Sequence, residues 1–350
     1  MSRPAPAANQ LKPTDFRRVP LDVTRAALLL IALTLAGCAQ SSTSTAPSPR
    51  PQTGCRLAVQ QFDLAGNNTA DGFIHIPGGK TIEPAPGASG RIYDAAIGRW
   101  INGDWGGLSP DGLSYAFTDG DTNQSRVHIT DLRSGTDRVV TTGGPWAVVG
   151  LQPDGVYLRK IVYGPDTAAF GRLSTSAGLW FQALRGGAPE QLTSDSRSWL
   201  FIHAGFAWGI ELNKADPRPL GGDGGYSPNQ VMRLDLVDRS SEPWLYRPGM
   251  GVDILGLDGT GAPFVVAQNG AHVELWRLYS ANVAEAVWRG NWGDVAPAGP
   301  MVADGDSVWL SSFIPAPPYN PAIYRWTGFS GIHLVAQFSD RRVMVAGPCM

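Results

Sequence analysis

The sequence predicts an all-β domain over residues 55–350, a six-bladed β-propeller whose ring closes by pairing the C-terminal strand with the N-terminal strand. Three observations predict it. A phrase of two apolar-alternating strands around a polar turn recurs, its copies starting 54, 52, 52, 44 and 48 residues apart. A period of about 50 residues with two hairpins per unit marks a propeller blade. Composition agrees: 43 Gly, 28 Pro and only 17% charged residues suit short strands joined by turns, and no stretch sustains a helical apolar period. Finally, two of the three cysteines, Cys55 and Cys349, stand at the two ends of the repeated region.

The elements follow in order. A short copy of the phrase, "FIHIPGGKTIEP", begins at Phe73. Fuller copies are "VHITDLRSGTDRVV" from Val127, "LWFQALRGGAPEQL" from Leu179 and "VMRLDLVDRSSEPWLY" from Val231. "LWRLYSANVAEAVW" from Leu275 and "IYRWTGFSGIHLVA" from Ile323 complete the series. Each supplies the outer strands, c and d, of a blade whose strands run a to d outward from the channel. The inner pairs repeat as well: "LSPDGLSYAF" (108–117), "LQPDGVYLRK" (151–160), "LDGTGAPFVV" (257–266) and "VADGDSVWL" (302–310) each set an Asp-Gly or Gly-rich turn between apolar strands. "FIHAGFAWGIELN" (201–213) has lost the Pro-Asp-Gly turn.

The first of these inner pairs closely resembles the repeat of TolB-like six-bladed propellers, which also form the non-catalytic domain of prolyl oligopeptidase-type enzymes; the second follows it less closely. The resemblance implies the fold and leaves function open. The strand count explains two cysteines. "CRLAVQQF" (55–62) is a b strand without its own a strand, and "RVMVAGPC" (342–349) is an a strand with nothing after it. Pairing them completes the sixth blade and covers two edges. Cys349 then ends strand a where Cys55 begins strand b, so a disulfide replaces the missing hairpin.

Upstream, "AALLLIALTLA" (26–36) is an uncharged apolar run behind Arg17, Arg18 and Arg25. It is too short for a span of roughly 20 residues and suits a signal-peptide core. It ends in Leu35-Ala36-Gly37-Cys38, which resembles the lipobox of bacterial lipoproteins. That resemblance implies a signal peptide at 1–37, lipid on the Cys38 thiol and cleavage before it. Residues 38–54, rich in Ser, Thr and Pro without a large apolar side chain, read as a disordered tether. The expected location is therefore the cell membrane or outer membrane, lipid-anchored, facing the periplasm or exterior. Residues 1–37 hold five of the 28 Lys/Arg and two of the 30 Asp/Glu, so the chain from Cys38 onward carries a formal charge of −5. No basic run or aromatic-basic interleave is present, and no nucleic-acid partner is expected.

Catalytic signatures are missing: no Gly-x-Ser-x-Gly elbow and no sialidase-type aspartate box occurs. The expected function is a non-catalytic binding or scaffold module at the cell envelope for a protein, peptide or glycan, not an enzyme, with no cofactor. The alternative is an envelope hydrolase or lyase acting on a glycan in the central funnel, where Asp104, Asp253 and Asp294 lie near the channel mouth. Trp105, Trp146, Trp199 and Trp292 fall on connections entering inner strands and are the ligand-binding candidates, weighed against packing between blades. Long b–c loops at 163–178, 213–229 and 314–322 collect on the same face. Asp119, Asp121 and Asn123 have the spacing of calcium-loop ligands, but Thr130 stands where a bidentate acid belongs, so no metal is expected. His75 and His128 occupy the same place in two c strands, which suggests a structural slot.

Overall fold

Alternating apolar residues and glycine-bearing turns give short antiparallel strands, and almost every strand pairs with its neighbour in sequence. The computed structural model describes residues 54–350, without 64–66, 80, 86–91, 104, 121–123, 168–170, 217–218, 221–224, 292–295, 298 and 313–320. The first sheet runs, in order, Arg342–Cys349, Cys55–Phe62, Asn68–Ile76 and Glu83–Pro84. The second holds Ser114–Asp119, Ser125–Asp131 and Asp137–Gly144, with a single bridge from Leu108 to Tyr115 in place of an inner strand. The third is Trp146–Gln152, Gly155–Thr167, Gly171–Ala183 and Glu190–Gln191. The fourth is Ser198–His203, Phe206–Glu211, Gln230–Asp235 and Ser241–Tyr246. The fifth is Gly251–Leu257, Pro263–Asn269, His272–Ser280 and Val283–Asn291. The sixth is Met301–Asp304, Ser307–Ser311, Ala322–Thr327 and Gly331–Gln337. The chain folds as a β-propeller.

The core is distributed between sheets, because a two-faced sheet with apolar residues on both sides must bury both. Val156 and Leu158 of the third sheet pack on Ile129 and Val140 of the second. Tyr157 and Leu179 meet Trp199 and Met232 of the fourth. Trp208 and Val231 meet Val252 and Leu278 of the fifth, and Phe264 and Leu275 meet Val308 and Trp326 of the sixth. Val302 and Trp309 of the sixth then meet Leu57 and Val343 of the first.

Between the first and second sheets lies an element missed in the sequence, a hairpin of Ile92–Asp94 with Arg99–Ile101. The two-residue alternation of a strand splits its side chains. Ile92 and Ile101 face Tyr115 and Leu132, while Tyr93 and Trp100 face Ala58 and Phe73. Tyr93 meets the Phe73 ring edge-on at 5.0 Å. Gly347 on the inner strand lets the hairpin approach, since a Cβ there would stand 2.9 Å from the Tyr93 backbone oxygen.

Cys55 and Cys349 are joined, their Cα atoms 5.5 Å apart across a sequence separation of 294. Arg56 and Met350 exchange both backbone hydrogen bonds beside the bridge, at 3.0 and 3.1 Å. The expected loop at 163–178 is corrected: the strands Gly155–Thr167 and Gly171–Ala183 continue through most of it as a paired ribbon. Ribbon pairing needs only backbone groups, so the polar sequence there does not forbid it. In the fourth sheet, Ala204 (φ 48°) and Gly205 (φ 83°) are both left-handed, the geometry of a tight hairpin turn, in place of the lost Pro-Asp-Gly.

Candidate functional site

Antiparallel order gives the domain two unlike faces. One carries the short turns within each inner pair and each outer pair. The other, the wide face, carries the connections from second to third strands and from one sheet to the next. The first strands of the third to sixth sheets line a common cavity of about 210 Å³ through Val149, Ile202, Leu257 and Val302. Nearer the wide face a larger cavity of about 620 Å³ opens between the first sheet, the inserted hairpin and Pro300. Trp105, on a single turn of 3-10 helix (Trp105–Gly107), lines both cavities. It stands at the waist of the channel.

The larger cavity has an ordered polar wall. Gln60 and Asp71 are only 5% and 7% exposed. The Gln60 Nε2 donates to Asp71 Oδ1 at 3.3 Å and the Asn68 Nδ2 donates to the same oxygen at 2.9 Å. Phe62, Ile92 and Met344 supply the apolar surface beside Trp105. Gln60, Asn68 and Met344 were missed in the sequence. The one signal was a glutamine pair ending an otherwise apolar strand, "CRLAVQQF".

The tryptophan candidates separate. Trp105 lines the channel. Trp199 is corrected to a packing residue: it is wholly buried, its indole N–H donates to Asp195 at 3.2 Å, and Arg197 lies over its ring. Trp146 packs edge-on against Trp180 at 5.5 Å, with its indole nitrogen buried, and belongs to the same cluster as Val148 and Leu158. Trp292 lies outside the described residues, as do Cys38 and the segments 1–37 and 38–53.

Of the funnel carboxylates, Asp104 and Asp294 also lie outside the described residues. Asp253 lines a cavity of about 190 Å³ with Ser227 and Gln268. Asp253 is exposed at the surface, yet the protein groups crowding its carboxyl raise its pKa, against the opposing hydrogen bond from the Ile254 amide at 2.8 Å. Other aspartates are occupied in turns. Asp111 accepts from Ser109 and the Leu113 amide, Asp131 from the amides of Arg133 and Ser134, and Asp235 from those of Val237 and Asp238. Asp119 is held by Arg126 at 2.9 and 2.5 Å, and that hydrogen bond keeps its carboxyl below its usual range. Asp121 and Asn123, the other members of the calcium-like spacing, lie outside the described residues. His75 and His128 share one arrangement, each facing a carboxylate of the adjacent outer strand: His75 with Glu83 at 3.4 Å and His128 with Asp137 at 2.7 Å. The 213–229 segment is fixed at its base by Asn229, whose side chain accepts from the Asn213 amide and donates to the Asp216 carbonyl.

No protein-family model and no curated protein sequence matches the chain. Among solved structures it is similar to TolB from Acinetobacter baumannii at 13% identity and a TM-score of 0.45, over 84% of this chain and 67% of that one. A putative TolB from Agrobacterium tumefaciens is similar at 12% identity and a TM-score of 0.45, over 84% and 93% of the two chains. An oligogalacturonate lyase in complex with manganese is similar at 11% identity and a TM-score of 0.47, over 66% of this chain and 63% of that one. Likeness at this level transfers no residue's role.

Proposed function

We propose that the protein is a lipid-anchored, extracytoplasmic binding or scaffold module: a six-bladed propeller, closed by its first sheet, that takes its partner at the wide mouth of the channel. The observation that carries this reading is the 620 Å³ cavity, floored by Trp105 and walled by the Gln60–Asp71–Asn68 network, on the face that collects the longer connections. Small-molecule sites are commonly concave, largely apolar and furnished with a few fixed polar groups, and this cavity has that character. The lipobox-like Leu35-Ala36-Gly37-Cys38 supports the anchor. One acyl chain holds a protein only marginally and two or three hold it stably.

Two measurements test the reading. Labelled palmitate is expected in the wild type and absent from Cys38→Ser, which should also leave the membrane fraction; unchanged membrane association in that variant refutes the anchor. The immobilised protein should retain components of its host's envelope extract, and Trp105→Ala should release them while still unfolding in one cooperative transition. That transition should come at a lower temperature, because Trp105 also packs against the cores of the first sheet and the hairpin. Retention undiminished in Trp105→Ala places the partner elsewhere. A second reading, a glycan hydrolase or lyase, draws on the raised carboxyl of Asp253 alone. Any turnover of envelope glycan that Asp253→Asn abolishes would establish it.

A further inference from the structure

We propose that the 620 Å³ cavity is a subsite for an uncharged, hydroxyl-rich ring, a neutral saccharide unit stacked on Trp105 and hydrogen-bonded along the Gln60–Asn68 wall. The inference deepens the binding reading above and rests on it.

Charge is the first discriminator. No described lining residue of this cavity has an ionisable side chain: its polar members are Gln60 and Asn68, and its larger apolar members are Phe62, Ile92, Trp105 and Met344. An anionic ligand entering it would lose hydration with no countercharge on the wall, where Asp71 stands behind Gln60 and Asn68. A neutral one loses less.

Amide orientation is the second. Both amide groups turn their N–H toward Asp71 Oδ1, at 3.3 and 2.9 Å. A planar amide that points its nitrogen at Asp71 turns its carbonyl oxygen the other way. The Asn68 carbonyl is thereby set as an acceptor for a ligand hydroxyl. Gln60, at 5% exposure, is held by its burial and cannot swing out to meet solvent. The wall is built before any ligand arrives, which limits the entropy lost on binding.

Backbone pairing is the third, and it separates sugar from peptide. The strand Cys55–Phe62 that carries Gln60 and Phe62 is hydrogen-bonded on both sides, to Asn68–Ile76 and to Arg342–Cys349. The edge strand Arg342–Cys349 also lines the cavity, through Met344 and Val345, but its outward Val345 amide already donates to the Ser311 hydroxyl at 2.8 Å. An added peptide strand would therefore find an incomplete ladder and bury amides unpaired. A pyranose carries no amide ladder. Its hydroxyls suit side-chain acceptors, and its C–H face suits an indole.

Saturation-transfer difference NMR on the full-length protein tests this, with cellobiose, maltose and diacetylchitobiose as neutral probes. Glucuronate and acetyl-Ala-Ala-amide serve as the charged and peptide probes. Ring protons of at least one neutral disaccharide should saturate, and its affinity should fall about tenfold in Trp105→Ala, the size expected for loss of one aromatic contact. Met344→Trp, which fills the cavity without removing a core side chain, should abolish the effect and guards against misfolding of the first variant. Three results overturn the proposal: no neutral disaccharide saturates, Met344→Trp leaves saturation unchanged, or glucuronate or the dipeptide saturates as strongly as the sugars. If sugars fail while Trp105→Ala still releases envelope components, the saccharide assignment falls and the binding reading stands.

Discussion

Asp258 shows how single carboxylates are used in this domain. Its Oδ1 accepts from the Thr260 and Ala262 amides at 2.8 and 3.0 Å and from the Thr260 hydroxyl at 2.6 Å, while its Oδ2 accepts from Arg277 Nε at 2.7 Å. Burial pushes this carboxyl up, but the hydrogen bonds from Thr260 and Arg277 outweigh it and hold the pKa below the ordinary value. A carboxyl lowered by folding adds stability that is complete above its unfolded pKa and is lost as pH falls through the folded one. Asp258→Asn should therefore cost about 3 kcal/mol at neutral pH, because it leaves Arg277 buried without its partner. Urea titrations at several pH values check this: the gap between variant and wild type should narrow only below the ordinary aspartate range. A gap that persists unchanged at pH 2 would show that turn geometry, not charge, sets the cost. At this scale the Asp-Gly turns were legible, since few residue types suit them. The tryptophans were not. Trp105 and Trp199 stand in similar positions of the repeat, and only burial tells a channel floor from a wedge.

Strands were legible wherever a two-residue alternation ran for five residues or more. The second, third and fourth strands of most sheets fell where the recurring phrases placed them. The hairpin Ile92–Ile101 was not legible, because two three-residue strands carry too little pattern to distinguish from a loop. Nor was the shrinking of the second sheet's inner strand to one bridge. The ribbon past Lys160 was hidden for another reason: Gly164 and Pro165 interrupt the alternation, while the backbone continues to pair. The pairing of Cys55–Phe62 with Arg342–Cys349 was legible from strand counting, and the joined cysteines fit that register, with Leu57 opposite Cys349. A crosslink across so long a loop should stabilise by about 2–5 kcal/mol. Cys349→Ser should lower the urea midpoint by the corresponding amount, and reductant should lower the wild type equally while leaving the variant unmoved. A wild type insensitive to reductant would mean that the strand pairing alone holds the ends.

Across the whole molecule, the periodicity of the sequence announced repeating β units but not what they enclose. The cavity at the wide mouth is assembled from Gln60, Asn68, Trp105, Pro300 and Met344, five positions from separate parts of the chain whose neighbourhood depends on how sheets pack. No spacing rule relates them. The crosslink between Cys55 and Cys349 also has a mechanical meaning. The chain enters this domain on the short-turn face, at the start of a strand held on both flanks by antiparallel partners. A pull arriving through residue 54 runs along that strand and would slide it past two neighbours at once. Both ladders resist in shear, where many hydrogen bonds must yield together instead of one after another. The sulfur bridge passes part of the tension directly into Arg342–Cys349, so the last strand bears load together with the first. A domain tugged from this side while its wide mouth grips something would be strained along the channel axis, the direction in which its strands are hardest to peel.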